Sequence, residues 1–192
     1  GDSRAILMSS VWPEDLVLIE AAVDFIKREK GYKLIVIPHE IKPKFTDLMR
    51  GVAEKHSLQC IFIEQDTVSQ QIEMESSFCV FNVKGALVEL YQKATASYVG
   101  GGFGTNVHSV WEPLLAGSWV SCGPRRKRSP ESFLIESHGF LDEIKTIEDF
   151  RNWLLKIKDK SKIDQSHIDQ IVLSHEGASR KIIDFIEGAS QK

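Results

Sequence analysis

The sequence predicts a single α/β domain, a parallel sheet with helices on both faces, and three observations predict it. Short apolar runs alternate with longer amphipathic stretches along most of the chain. The short runs are apolar at consecutive positions, as strands buried on both sides must be. The stretches between them carry apolar residues at helical spacing, so helices connect successive strands.

The elements follow in order. Residues 5–8 form a first strand, and a helix over 14–29 places Leu16, Ile19, Val23 and Ile26 on one face. Pro13, Glu14 and Asp15 suit a helix start, where negative charge meets the positive end of the dipole, and Gly31 ends the segment. A second strand over 33–37 stops at Pro38, and a helix follows over 44–56. Strands over 59–63 and 77–81 come next, then a helix over 85–93, a fifth strand over 96–100, a helix over 106–116 and a sixth strand over 118–122. After Pro130 two helices are expected, over 147–157 and 168–186, within a closing region of 146–188 that covers one edge of the sheet. There are no internal repeats, so 1–192 reads as one Rossmann-like domain.

Composition bounds the function. The chain has 192 residues, 42% hydrophobic and 27% charged, which are ordinary globular values. A chain of this size buries roughly two thirds of its unfolded surface, so folding requires neither disulfide nor metal. A net charge of −3 supplies no basic field for nucleic acid. No apolar run approaches the ~20 residues of a membrane span, and no signal peptide is visible. Cys60, Cys79 and Cys122 are odd in number and widely spaced, and read as buried reduced thiols of a cytoplasmic protein. The chain opens almost directly into a strand, which suggests a fragment of something longer.

In sheets of this kind ligands bind beyond the carboxyl ends of the strands. The loops to read are therefore 9–13, 38–42, 82–85, 100–106 and 123–129. Gly100, Gly101, Gly102 and Gly104 place four glycines in five residues, between a strand and a helix. Glycines let backbone N–H groups approach a ligand, and a helix N-terminus favours an anion; the alternative is a tight turn without a ligand. A dinucleotide fingerprint does not fit, because Val107 stands where the third glycine belongs and the motif follows the fifth strand instead of the first. No Gly-Lys-Ser/Thr follows, so a P-loop is excluded. Glu112 is read two turns into the helix, with His108 one turn earlier on the same face. Such a carboxylate can accept hydrogen bonds from ribose hydroxyls while His108 or Asn106 faces a phosphate. Arg125, Arg126, Lys127 and Arg128 form a basic run that reads as a solvated loop or as phosphate contacts. There is no G-x-S-x-G elbow and no H-E-x-x-H spacing.

Taken in order, these loops resemble a known family. The stretch from Ser97 through Gly100, Gly101, Gly102, Phe103, Gly104, Asn106, His108 and Glu112 to Leu114, followed by Val120 to Pro124, is similar to the C-terminal half of the 3-deoxy-D-manno-octulosonic acid (Kdo) transferases. These are GT-B glycosyltransferases of lipopolysaccharide synthesis, in which a glycine-rich turn precedes H-N-x-x-E and a strand ending in Gly-Pro. Ser9, Ser10, Val11, Trp12, Pro13, Glu14 and Asp15 resemble the family's S-T-W-P-E-D-E. Val36, Ile37, Pro38 and His39 occupy its V-P-R/H loop, and Gly85, Ala86 and Leu87 its G-E-L turn. Departures fall at Val11, Leu16, His39, Ala86, Ser109 and the basic loop.

The resemblance implies a single GT-B-type C-terminal domain that binds a nucleotide-sugar donor, CMP-Kdo or a similar one, without metal or cofactor. Its implied nucleotide contacts are Ser10, Pro38, His39, Lys84, Gly85, Ala86, Gly101, Gly102, Gly104, His108, Ser109, Val110, Trp111 and Glu112, with the phosphate at a helix N-terminus over 106–109. The lipid A precursor, the catalytic base and any membrane contact would belong to an N-terminal domain outside this chain. The implied place is the cytoplasmic face of the inner membrane, and this chain alone would catalyse no transfer. Two other readings stay open: a non-catalytic nucleotide-binding or interaction module, and a GT-B domain for a UDP- or GDP-sugar whose diphosphate the basic loop would serve.

Overall fold

Seven parallel strands lie in the order β3-β4-β2-β1-β5-β6-β7 in a computed structural model that describes residues 4–65 and 77–175. The strands are β1 (Arg4–Val11), β2 (Tyr32–Pro38), β3 (Cys60–Glu64), β4 (Phe78–Asn82), β5 (Ala94–Val99), β6 (Trp119–Cys122) and β7 (Leu141–Glu143). The helices are α1 (Leu16–Arg28), α2 (Pro43–Lys55), α3 (Leu87–Lys93), α4 (Trp111–Leu115), α5 (Glu131–Ser137), α6 (Ile147–Ile157) and α7 (Gln165–His175). From β1 the chain adds β2, places β3 at the sheet edge and inserts β4 between β3 and β2, then crosses back so that β5 pairs with β1 on its other side. The β1–β5 junction is the topological switch point, the place beyond the strand ends where sheets of this kind bind ligands.

The expected parallel α/β architecture is present, and its core follows from side-chain alternation along the strands. Ile6 and Met8 of β1, Leu34 and Val36 of β2, and Ala96 and Tyr98 of β5 face α1, α2 and α6. Leu7 and Ile35 face the opposite way, towards Leu90 and Tyr91 of α3. Val99, Val120 and Cys122 join Leu114 of α4, Ile135 of α5 and Ile168 of α7 in a third cluster. Cys60, Cys79 and Cys122 sit in β3, β4 and β6. Burial pushes all three up, to about 12, about 11 and about 12. Among the described residues no helix is long and apolar enough to cross a membrane.

Several sequence expectations need correction. The helix expected over 106–116 is only the five residues of α4, because 106–110 runs irregularly and Val107 and Val110 are pulled into the core. The segment 14–29 begins with a 3-10 turn, Pro13–Asp15, before α1 proper. α5 and β7 were not anticipated: seven and three residues are too short for periodicity to register. α6 has the expected limits, set by Thr146 and Asp149, whose side chains cap each other's backbone N–H groups. It does not close an edge. Phe150, Trp153, Leu154 and Ile157 pack on the α1 face, while α7 packs on the other face. The remainder of the helix expected over 168–186 lies beyond His175, outside the described residues.

Candidate functional site

The exits of β1, β2 and β5 meet at the switch point. β1 carries a register irregularity between Met8 and Val11, and Ser10 within it has φ 51°, left-handed for a residue with a side chain. The irregularity delivers the Val11 carbonyl to the His39 N–H at 2.9 Å and the Ser9 carbonyl to the Gly100 N–H at 2.8 Å. Strain held at such a point is a mark of functional loops.

Just beyond, three rings stack. Trp12, from the β1 exit, lies on His39, from the β2 exit, with centroids 4.3 Å apart and planes 22° apart. His39 lies in turn on His108, from the segment after β5, at 4.6 Å and 27°. Burial and the neighbouring His39 hold His108 below the usual imidazole range, and the nearby Glu112 carboxylate opposes them. Glu112 is exposed in the first turn of α4, so its oxygens are open to solvent.

Under the stack lies a buried carboxylate that sequence reasoning had read as a helix-dipole partner. Asp15 is fully buried. Its Oδ1 accepts the Tyr98 hydroxyl at 2.6 Å. Its Oδ2 accepts the N–H of Trp12 at 2.9 Å and that of Gly101 at 3.4 Å. Burial raises this carboxyl above the ordinary range, and the three donors pull the other way. A second buried polar pair lies alongside: Ser9 Oγ and Tyr91 Oη are 2.7 Å apart, and Ser9 also donates to the Tyr98 carbonyl at 3.3 Å.

Most of the glycine turn packs against backbone. A Cβ on Gly100 would stand 2.7 Å from Val11 Cα, and one on Gly102 would stand 2.5 Å from Gly123 Cα. Gly101 has φ 89°, and a Cβ there would run into the Asn106 carbonyl. These three glycines let the β1, β5 and β6 exits pack backbone on backbone. Gly104 differs, since the nearest atoms to a Cβ there all belong to the Glu14 carboxyl group, whose carbon is 3.5 Å away. Gly85 has φ 85° and open space around it, at the exposed β4 exit with Lys84 and ahead of Ala86.

The basic run divides. Arg126 is 3% exposed, and its Nη2 meets Glu136 at 2.5 Å and Glu143 at 2.6 Å, while its guanidinium covers Phe133 at 4.4 Å. It ties α5 to β7 and does not face a ligand. Arg125 donates to the Gly104 carbonyl at 2.5 Å, so it braces the glycine turn. Lys127 and Arg128 are exposed.

The structure therefore brings together Ser10, Pro38, His39, Gly101, Gly104, His108 and, beside His108, Glu112. Lys84, Gly85 and Ala86 lie two strands away, at the β4 exit. Ser109 is exposed, Trp111 is partly packed on the third cluster, and Val110 points into the core, so only its backbone faces outward. Trp12 and Asp15 were missed as site residues. The β1-exit motif contained both, but the face that a 3-10 turn presents is not set by sequence spacing. Among the described residues no group of three or more His, Cys, Asp or Glu is placed to hold a metal ion.

A doubly wound parallel sheet with its switch point at β1–β5 defines a Rossmann-like domain. No protein-family model matches the chain, and no curated protein matches it in sequence. Solved structures do. The C-terminal CMP-Kdo binding domain of WaaA from Acinetobacter baumannii matches with a TM-score of 0.72 at 14% identity, over 91% of this chain and 89% of that one. WaaG, a glycosyltransferase involved in lipopolysaccharide biosynthesis, matches at 0.54 and 13% identity, over 89% of this chain. A UDP-forming α,α-trehalose-phosphate synthase from Burkholderia xenovorans matches at 0.56 and 10%, over 90% of this chain. This chain spans 42% and 40% of those last two proteins. At such identities the likeness is one of fold, a Rossmann-like domain of GT-B type.

Proposed function

We propose that this domain binds the nucleotide-sugar donor of a GT-B glycosyltransferase, with CMP-Kdo as the donor and a lipid A precursor as the acceptor. The observation that carries the reading is the convergence of the Trp12–His39–His108 stack, the strained Ser10 and the exposed Glu112 at the switch point of a GT-B-type sheet. Glu112 is the acceptor for the ribose hydroxyls. Pro38, His39 and the Gly85 turn line the side where the base lies. The single phosphate is held by the backbone around Gly104 and Ser109, instead of by a long helix, since α4 begins only at Trp111. In the transfer step N–H donors there would stabilise charge developing on the departing CMP. The acceptor site and catalytic base belong to a second domain, which also provides contact with the cytoplasmic face of the inner membrane.

The inward turn of Arg126 and the use of Arg125 within the chain leave only Lys127 and Arg128 of the basic loop to meet a second phosphate, which favours a monophosphate donor. A second reading is favoured by one observation. The Glu14 carboxylate lies against Gly104, where a phosphate would have to approach, and repulsion there suits a module that has kept the fold and lost the ligand. Titrating the domain with CMP, UMP and GMP and following backbone amides separates the two. We expect selective CMP shifts at Gly85, Gly104, Ser109 and Glu112, with a Kd near ~1 mM, about −4 kcal/mol, because half the cleft is absent. Shifts with UMP or GMP instead would discard the Kdo donor. No response to any nucleotide, in this domain and in the full-length protein, would leave the module.

A further inference from the structure

We infer that Asp15 is a positioning residue, whose buried carboxylate joins the exits of β1 and β5 across the switch point and so sets the alignment of the Trp12–His39–His108 stack. Three donors from three places converge on it: the Tyr98 hydroxyl from within β5, the Trp12 N–H at the β1 exit and the Gly101 N–H in the glycine turn. The link is reciprocal at Trp12, since the Asp15 N–H donates to the Trp12 carbonyl at 3.0 Å. The backbone on both sides of Trp12's side chain is thereby fixed. Its indole covers Gly101, with Nε1 3.5 Å from the place of a Cβ there. The indole then carries His39, and His39 carries His108. Each ring is held by the one before it, and the first is held by Asp15.

A carboxylate is required there for a geometric reason. The three donors reach both oxygens, two backbone N–H groups on Oδ2 and the Tyr98 hydroxyl on Oδ1, and a carboxylate presents two acceptor oxygens where an amide presents one. The fixed partners make the arrangement pre-organised, which is what a binding surface on loops otherwise lacks. Asp15 has no exposed surface, so its effect on a ligand runs entirely through the rings and the turn.

The consequence for a ligand rests on the nucleotide-binding reading above; the consequence for the rings does not. The test uses Asp15→Asn and Tyr98→Phe, each checked for a folded amide spectrum. Asparagine keeps the size but replaces one acceptor oxygen by an NH2 donor, which must face either the Tyr98 hydroxyl or the two backbone N–H groups. We expect the His39 and His108 ring-proton signals and the Gly101 amide of Asp15→Asn to move away from wild type, as the ring stack loosens. Tyr98→Phe, which removes only the donor to Oδ1, moves them in the same direction by less. CMP affinity of Asp15→Asn falls about tenfold per folded molecule, and that of Tyr98→Phe falls less. Should Asp15→Asn fail to fold, Tyr98→Phe decides alone. Unmoved imidazole and Gly101 signals in a folded variant overturn the inference, and stability loss with unchanged signals leaves Asp15 a simple brace. Should wild type bind no CMP, the donor reading fails, while the imidazole signals still judge Asp15.

Discussion

Substituting Gly102 by alanine tests whether the glycine turn exists for packing or for a ligand. A Cβ at Gly102 would sit 2.5 Å from Gly123 Cα and 2.7 Å from the Gly123 carbonyl carbon and amide nitrogen. Ordinary carbon contacts begin near ~3.5 Å, so two backbone segments must separate by roughly 1 Å. Neither segment is free to move. The Arg125 N–H is bonded to the Gly102 carbonyl at 3.0 Å, and the Val107 N–H to the Arg125 carbonyl at 2.9 Å. Overpacking of this kind costs typically 1–3 kcal/mol, and the clash with backbone puts this case at about 3. For a chain of this length that lowers Tm by roughly 6–12 °C. Gly104→Ala is the control, because its Cβ meets only the exposed Glu14 carboxyl at 3.5 Å; its stability should stay within about 0.5 kcal/mol of wild type. Thermal and urea unfolding of the three proteins measures both. Equal stability of Gly102→Ala and wild type would refute the packing account and return the turn to the ligand.

Two further outcomes are expected. Arg126→Ala removes the cation that bridges Glu136 and Glu143, leaving Glu143 with the exposed Lys145 at 3.3 Å, and should destabilise by about 2 kcal/mol in urea unfolding, whereas Lys127→Ala and Arg128→Ala should change little; an Arg126→Ala protein of wild-type stability would contradict the α5–β7 tie. His108 has a folded pKa below its ordinary value of 6.5, so the unfolded chain binds more protons across that window. The sign makes stability rise with pH from the folded pKa up to about 6.5 and fall on acidification through the same range. In His108→Gln this component of the slope should vanish, and an unchanged difference between stabilities at pH 5 and pH 7.5 would show that His108 does not supply it.

Much of the site's address was legible in the chain. The loops after β1, β2, β4 and β5 were placed at the strand ends from apolar runs and turn residues alone; His108 was selected from its spacing to Glu112, and Ser10 and His39 from the family resemblance. The roles were less legible. Four glycines read as an invitation to an anion, yet Gly100, Gly101 and Gly102 face backbone, because the distance between two strand exits is not encoded near either. Arg126 read as one of four equivalent cations, and only the arrival of Glu136 and Glu143 from later elements turned it inward. Asp15 read as a dipole partner in a helix that starts one residue after it. The length of α4 was overestimated because Val107, Val110 and Leu114 fall at near-helical spacing although the first two enter the core from a loop.

The sequence by itself determined the alternation of strand and helix, the doubly buried parallel sheet and the set of loops at its carboxyl edge, because these depend on local periodicity and on burying continuous apolar runs. Tertiary structure alone decided the strand order, with β4 inserted between β3 and β2 and β5 returned to β1. It also decided the ring stack over Asp15 and the division of the basic loop into one buried and several exposed cations. These arise between residues up to 96 positions apart, as His108 is from Trp12, and contacts over such separations are set by how the layers pack, which no local pattern records.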